Sequence, residues 1–200
     1  MRLNSTFFIE NDVLDLSKYL LGCTFHSMID GVHCSGIITE TEAYTGINDR
    51  ASHAFGNRRT PRTEVMYRTG GISYVYFTYG LHHLFNVVTG AENDPHAVLI
   101  RAIYPLTGIN TMFQRVGAKK GLHALSNGPA KLTKCLGITL EHNRMDLDGD
   151  LLWFEDNFRH AIARTVAGPR VGVDYAGEDA LLPYRFVGFP ATASKLQQTK

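Results

Sequence analysis

Apolar residues at Val13, Leu14, Leu16, Tyr19, Leu20 and Leu21 recur at the spacing of one helical face, which predicts a helix over residues 12–21. Gly22 follows directly and is where that helix should stop. The pattern then changes: residues 23–29 and Val32–Tyr44 are strand-like runs flanking Asp30-Gly31, a strong signal for a tight hairpin turn. Residues 45–63 are rich in Gly, Asn, Arg and Thr and predict a long loop too polar for the core, of the kind that often carries function. Residues 73–78 and 84–89 are β-branched and aromatic runs, paired through Tyr79-Gly80-Leu81-His82-His83 as a second hairpin. A further strand over 97–104 should be closed by Pro105, and residues 107–116 read as a helix. Gly128-Pro129 opens a short helix over 130–136, with Pro in the first position that tolerates it. Residues 151–154 and 184–187 predict short strands, and 194–200 a frayed polar tail. With no internal repeat and no dividing linker, the expectation is an α+β fold: one domain with a mostly antiparallel, curved sheet and peripheral helices.

Composition narrows the class. The 200 residues, 44% hydrophobic and 20% charged, suit one globular domain able to bury about 70% of its unfolded surface without disulfides or metal. No apolar run is long enough to span a bilayer, and the first thirty residues lack a secretory pattern, so a cytoplasmic protein is expected. Cys23, Cys34 and Cys135 are an odd number at unpatterned spacings and read as reduced thiols. A zinc site built from Cys23, His26, His33 and Cys34 is disfavoured, because the adjacent His33 and Cys34 would point to opposite faces of a strand. The net charge of +1 argues against a general nucleic-acid coat protein. Its distribution is uneven, with Arg58, Arg59, Arg62 and Arg68 in one cluster, Lys119, Lys120, Lys131 and Lys134 in another, and acids crowded at Asp146, Asp148, Asp150, Glu155 and Asp156. That separation is compatible with one cationic face or with solvated loops.

Two stretches carry candidate chemistry. In Glu40-Thr41-Glu42-Ala43-Tyr44 the period of two places Glu40, Glu42 and Tyr44 on one strand face, and two acids are costly there unless solvated, paired or working. In Tyr74-Val75-Tyr76-Phe77-Thr78-Tyr79-Gly80, Tyr74 and Tyr76 share a face and Tyr79 lies near the tip, a platform suited to planar bases. No phosphate-binding glycine loop, nucleophile elbow or zinc-deaminase pattern is present. Two readings are open on these residues, a silent single-stranded nucleic-acid binder and a carbohydrate hydrolase using Glu40 and Glu42, although two acids on the same side of one strand suit a single general base better than an acid/base pair.

The motifs also occur in a recognisable order. Glu40-Thr-Glu-Ala-Tyr44, His53, Arg59-Thr-Pro-Arg62, Tyr74-Val-Tyr-Phe-Thr-Tyr-Gly80, Asn86-Val-Val, Leu99-Ile-Arg101-Ala, Asn127-Gly-Pro-Ala-Lys131-Leu and Arg170-Val-Gly-Val-Asp-Tyr-Ala-Gly177 together make the chain resemble the alkyladenine (3-methyladenine) DNA glycosylase family over nearly its whole length. The resemblance implies a monofunctional base-excision repair enzyme that flips a damaged purine, 3-methyladenine or hypoxanthine, out of double-stranded DNA and hydrolyses its glycosidic bond with an activated water. It implies Glu42 as general base, with Arg101 and the Val171 carbonyl helping to hold the water. It implies a base pocket of Tyr44, His53, Tyr76 and Asn86, the last disfavouring guanine, and Tyr79 as the residue inserted where the base has left. Arg59, Arg62, Lys131 and Lys134 are expected against the DNA backbone, the lysines because they follow a helix start. The resemblance implies no metal or other cofactor, no lysine nucleophile and no membrane partner, and the expected form is a monomer, associated with the nucleoid in a bacterium.

Overall fold

In the computed structural model, which describes residues 1–117, 121–122 and 125–190, the chain opens with a helix that its hydrophobic spacing does not announce, α1 (Ser5–Glu10). Six residues are too few for a period to emerge, and the local signal is Asn4, whose side chain caps the helix by accepting from the Phe7 N–H. The expected helix follows as α2 (Val13–Tyr19), capped by the Asp12 carboxylate on the N–H groups of Leu14 and Asp15. Gly22 has φ +86°, and a Cβ there would lie 2.6 Å from the Arg159 Cα, so the stop requires glycine.

The Asp30-Gly31 hairpin joins β1 (Thr24–Ile29) to β2 (Val32–Tyr44). The tyrosine hairpin is β3 (Ile72–Thr78) and β4 (His82–Thr89), so His82 and His83, expected in the connection, are strand residues. Its tip is tight: Tyr79 and Gly80 have φ of 52° and 66°, and the Leu81 N–H donates to the Thr78 carbonyl at 3.2 Å, as in a type I′ turn. Pro105 does not end β5 (His96–Thr107). It sits opposite Gly36, at a register shift between Ser35 and Gly36 where the ladder is already interrupted, so its missing N–H costs little. The next helix starts correspondingly later, as α3 (Ile109–Val116), and α4 (Pro129–Leu136) has Pro at its start as expected.

Strands β6 (Leu152–Glu155) and β8 (Arg185–Pro190) form near their expected positions, whereas β7 (Ile162–Gly168) was not expected. It pairs only with β8 at the sheet margin and its middle residues are exposed, so it carries no alternating apolar signal. The order is β3-β4-β5-β2-β1-β6, every ladder between these strands is antiparallel, and β8 takes the side of β2 that β1 vacates beyond Ile37. This is the α+β architecture expected, with an open sheet.

Phe8, Phe25, Val75, Phe85, Val98, Ile100, Leu132 and Leu136 form the main core, and a second cluster of Val65, Met66, Tyr67, Tyr74 and Val88 lies under the polar loop. That loop is not confined to the surface: Asp49, Ala51, Ser52, Ala54 and Thr63 are buried. Among the described residues no helix is long and apolar enough to cross a membrane, and all three cysteines are free and buried. Lys119, Lys120 and the 194–200 tail lie outside the described residues.

Candidate active site

Strand register assembles the site. Tyr74 pairs with Asn86, Asn86 with Leu99, Leu99 with Glu42 and Glu42 with Arg185, so one lateral row crosses β3, β4, β5, β2 and β8. Directly paired residues share a face. Over part of this row lies a cavity of about 490 Å³, within the usual size of small-molecule pockets, lined among others by Tyr44, His53, Tyr76, Asn86, Arg101 and Val171.

Glu42 sits immediately behind that lining with no exposed surface. Its Oε1 accepts from the Val171 N–H at 2.8 Å and lies 3.1 Å from Arg101 Nη1, while Oε2 accepts from the Tyr44 hydroxyl at 2.9 Å. Burial pushes the Glu42 carboxyl above its ordinary pKa, against the downward pull of Arg101, the Val171 N–H and the Tyr44 hydroxyl. Arg101 reaches both acids because the β2–β5 register slips twice, between Ile38 and Glu40 and again between Glu40 and Thr41, leaving Arg101 as an extra residue on β5. Bulges re-aim side chains in this way. Its Nε donates to Glu40 Oε1 at 2.8 Å.

Val171 is brought to Glu42 by a contact that the sequence reading did not single out. Arg170 and Asp49 form a forked ion pair with neither side chain exposed, Nη2 donating to Oδ1 at 2.8 Å. Arg170 also donates to the carbonyls of Ala43 and Asp179, and its guanidinium lies 4.9 Å from the Tyr44 ring centroid. The only sequence signals were an acid within a polar loop and an arginine within a motif.

The aromatic wall is tied to the loop. His53 Nδ1 lies 2.8 Å from the Tyr74 hydroxyl and Nε2 lies 3.1 Å from Arg62 Nη2. Arg62 can only donate, so Nε2 accepts and Nδ1 carries the proton. Burial, helped by Arg62 and Arg58, pushes the His53 pKa down to about 4. The His53 ring meets Tyr76 edge-on at 4.8 Å, and Arg62 stands 4.6 Å from the Tyr76 centroid. Asn86 is buried, its Nδ2 donating to the Tyr74 carbonyl at 3.1 Å.

Tyr79, 87% exposed, projects from the hairpin at the cavity edge, with Pro129 and Ala130 of α4 also lining the cavity. Of the four expected backbone contacts, Arg62 lines the cavity, and Lys131 is exposed on α4 with Nζ 3.0 Å from Asn127 Oδ1. Lys134 is exposed one turn further on. Arg59 is instead engaged with the Tyr67 ring at 4.1 Å, the Asn93 side chain and Glu64.

Residues 7–189 match the methylpurine-DNA glycosylase family. A Chlamydia felis protein provisionally named 3-methyladenine DNA glycosylase is 47% identical over 191 residues, covering 92% of this chain and 95% of its own length. Proteins of the same provisional name from Chlamydia pneumoniae, 44% identical over 97% of this chain and 98% of theirs, and Bacillus thuringiensis, 42% identical over 94% and 97%, are similar to a comparable extent.

Proposed function

The chain belongs to the methylpurine-DNA glycosylase family and is a DNA glycosylase, a hydrolase of N-glycosyl bonds; from that premise we propose that it turns 3-methyladenine and hypoxanthine nucleotides out of duplex DNA into the cavity and hydrolyses them with a water activated by Glu42. The observation that carries this reading is a wholly buried carboxylate whose pKa burial pushes up and whose three donors all come from residues lining the cavity. Oε2 carries the Tyr44 hydroxyl alone among these donors and keeps a lone pair for a water proton.

As the bond from C1′ to the purine breaks, its electron pair leaves with the base and the sugar becomes oxocarbenium-like. The water oxygen bonds to C1′ while its proton passes to Glu42, whose negative charge also favours the cationic sugar. In this reading Arg101 and the Val171 carbonyl orient the water, in addition to the bonds that Arg101 and the Val171 N–H make to Glu42. An alkylated base arrives positively charged and leaves neutral, so the faces of Tyr44 and Tyr76 attract it more than a normal purine. Hypoxanthine lacks that charge and depends on hydrogen bonds, for which the Tyr76 hydroxyl lies among the lining residues and neutral His53 serves by exchanging its bond to Tyr74 or Arg62 for one to the base.

Asn86 supplies bulk against a guanine amine, and Tyr79 fills the gap left in the duplex. Arg62, Lys131 and Lys134, with the open end of α4, face the phosphates of damaged double-stranded DNA, and Arg59 joins them by exchanging its bonds to Asn93 and Glu64 for one to a phosphate. Of these, Arg62 is nearest the cavity. The enzyme acts as a monomer in the cytoplasm, on the nucleoid of a bacterial cell. The rival carbohydrate-hydrolase reading needs Glu40 and Glu42 to flank a substrate, but both grip the same guanidinium.

The test is release of free hypoxanthine, with an alkali-labile site, from a duplex carrying one such base in metal-free buffer. Glu42→Gln should lower the single-turnover rate by about 10²- to 10⁴-fold while lesion binding persists. An active Glu42→Gln variant would overturn the assignment of the base.

A further inference from the structure

Glu40 has no part in the chemistry above, yet two arginines hold it. Its Oε1 accepts from Arg101 Nε at 2.8 Å and from Arg185 Nη1 at 3.1 Å, and its side chain is 18% exposed. Arg185 donates through Nε to the Pro169 carbonyl at 2.9 Å, in the segment that delivers Val171 to Glu42. The other end of the Arg101 guanidinium lies 3.1 Å from Glu42 Oε1. One guanidinium is therefore divided between two carboxylates on the same strand, and the paired bulges described above are what allow it to reach both.

This division matters because a general base must keep its affinity for a proton. A buried carboxylate facing an undivided arginine is ordinarily driven well down in pKa, typically by about 1–3 units, and becomes a poor base. Other charged and titratable groups face Glu42 from every neighbouring element: Arg101 on β5, Tyr44 and Glu40 on β2, Tyr76 on β3, Arg185 opposite it on β8, and Arg170 beside Val171. Three of these are cations: Arg170 is already paired with Asp49, and Glu40 is the carboxylate that engages the other two.

We propose that Glu40 is a positioning residue, which engages Arg101 and Arg185 so that neither cation is spent wholly on Glu42, and so keeps Glu42 basic enough to take a proton from water. The proposal rests on the reading of Glu42 as the base. Burial already pushes the Glu42 pKa up, and the negative charge of Glu40 adds to that push. A merely structural Glu40 would satisfy two arginines and leave the pH dependence of the reaction untouched.

The experiment is the pH profile of single-turnover hypoxanthine release from duplex DNA for the wild-type chain, Glu40→Gln, Glu40→Asp, Arg185→Gln and Glu42→Gln, over the range where circular dichroism shows each folded. The shared substrate cancels any titration of the lesion. Glu40→Gln should move the acidic limb to lower pH and reduce the plateau rate by roughly three- to tenfold, far less than Glu42→Gln. Glu40→Asp, which keeps the charge, should return the limb toward wild type. Arg185→Gln should move it the other way, to higher pH, because Glu42 loses a nearby cation. An unmoved limb in an active Glu40→Gln variant overturns the inference while leaving the base assignment intact, whereas an active Glu42→Gln variant overturns the base assignment itself. Should Glu40→Gln fail to fold, Glu40→Ser decides: a downward shift of the limb supports the proposal, and none or an upward one sinks it.

Discussion

Asp49 and Arg170 are 121 positions apart and wholly buried together, and removing one of such a pair strands the other in the interior. Breaking a buried pair in that way typically costs about 3–5 kcal/mol. Asp49→Ala should therefore lower the unfolding free energy by about that amount in a urea titration, and a loss below about 1 kcal/mol would mean that the carbonyls of Ala43 and Asp179 suffice for Arg170. Asn86 offers the complementary case, a buried side chain to which the proposed function gives a part in selectivity. Asn86→Ser frees volume at the cavity floor and should raise release of undamaged guanine relative to hypoxanthine; an unchanged ratio would place the discrimination elsewhere. The acids at 40 and 42 and the tyrosine at 44 were legible because a strand alternates every second residue. The role of Asp49 was not, since a lone acid in a polar loop looks the same whether it meets solvent or an arginine from the far end of the chain.

Among the elements, the hairpin of β3 and β4 combines a buried base with an exposed tip. Val75 and Phe85 anchor it in the core, while Tyr79 and Leu81 stand in solvent. Flipping a nucleotide costs a few kcal/mol of stacking and pairing, and a side chain that fills the gap offsets part of that cost in the flipped state alone. Tyr79→Ala should leave the melting temperature nearly unchanged, because its 87% exposed ring has little packing to lose. It should slow excision from paired duplex more than from a mismatched lesion, and equal losses on both would argue that Tyr79 serves the pocket and not the flip. Local signals were good guides to elements closed by turns and caps, such as the Asp30-Gly31 hairpin and the proline start of α4. They failed where pairing overrode them: Pro105 continues β5 at a register shift, and β7 exists because β8 is beside it.

Across the molecule, histidines whose pKa is lowered by burial bear on the response to acid. Burial pushes His26 and His53 down to about 4 from an ordinary 6.5, and His142 is lowered by the same cause. Between those pH values the unfolded chain binds protons that the folded one refuses, so the stability present above pH 6.5 is lost as pH falls toward 4. Glu42, raised by burial, works in the opposite direction, since its protonated form is the one the fold prefers. The melting temperature should therefore fall through this window, and a His26→Gln, His53→Gln double variant should flatten the fall; an unchanged slope would assign it to carboxylates. Residue order alone established the strand alternation that puts Glu42 and Tyr44 on one face, the hairpin turns, the motif series and the single α+β domain, because alternation and turn chemistry act within a few neighbours. Folding in three dimensions was needed to set Tyr74, Asn86, Leu99, Glu42 and Arg185 in one row, to divide Arg101 between two acids, and to bury Asp49 against Arg170. Those contacts, like the bond from Arg185 to Glu40 across 145 positions, depend on which strands pair and in what register, which is settled by the competition of the whole chain for burial and hydrogen bonds.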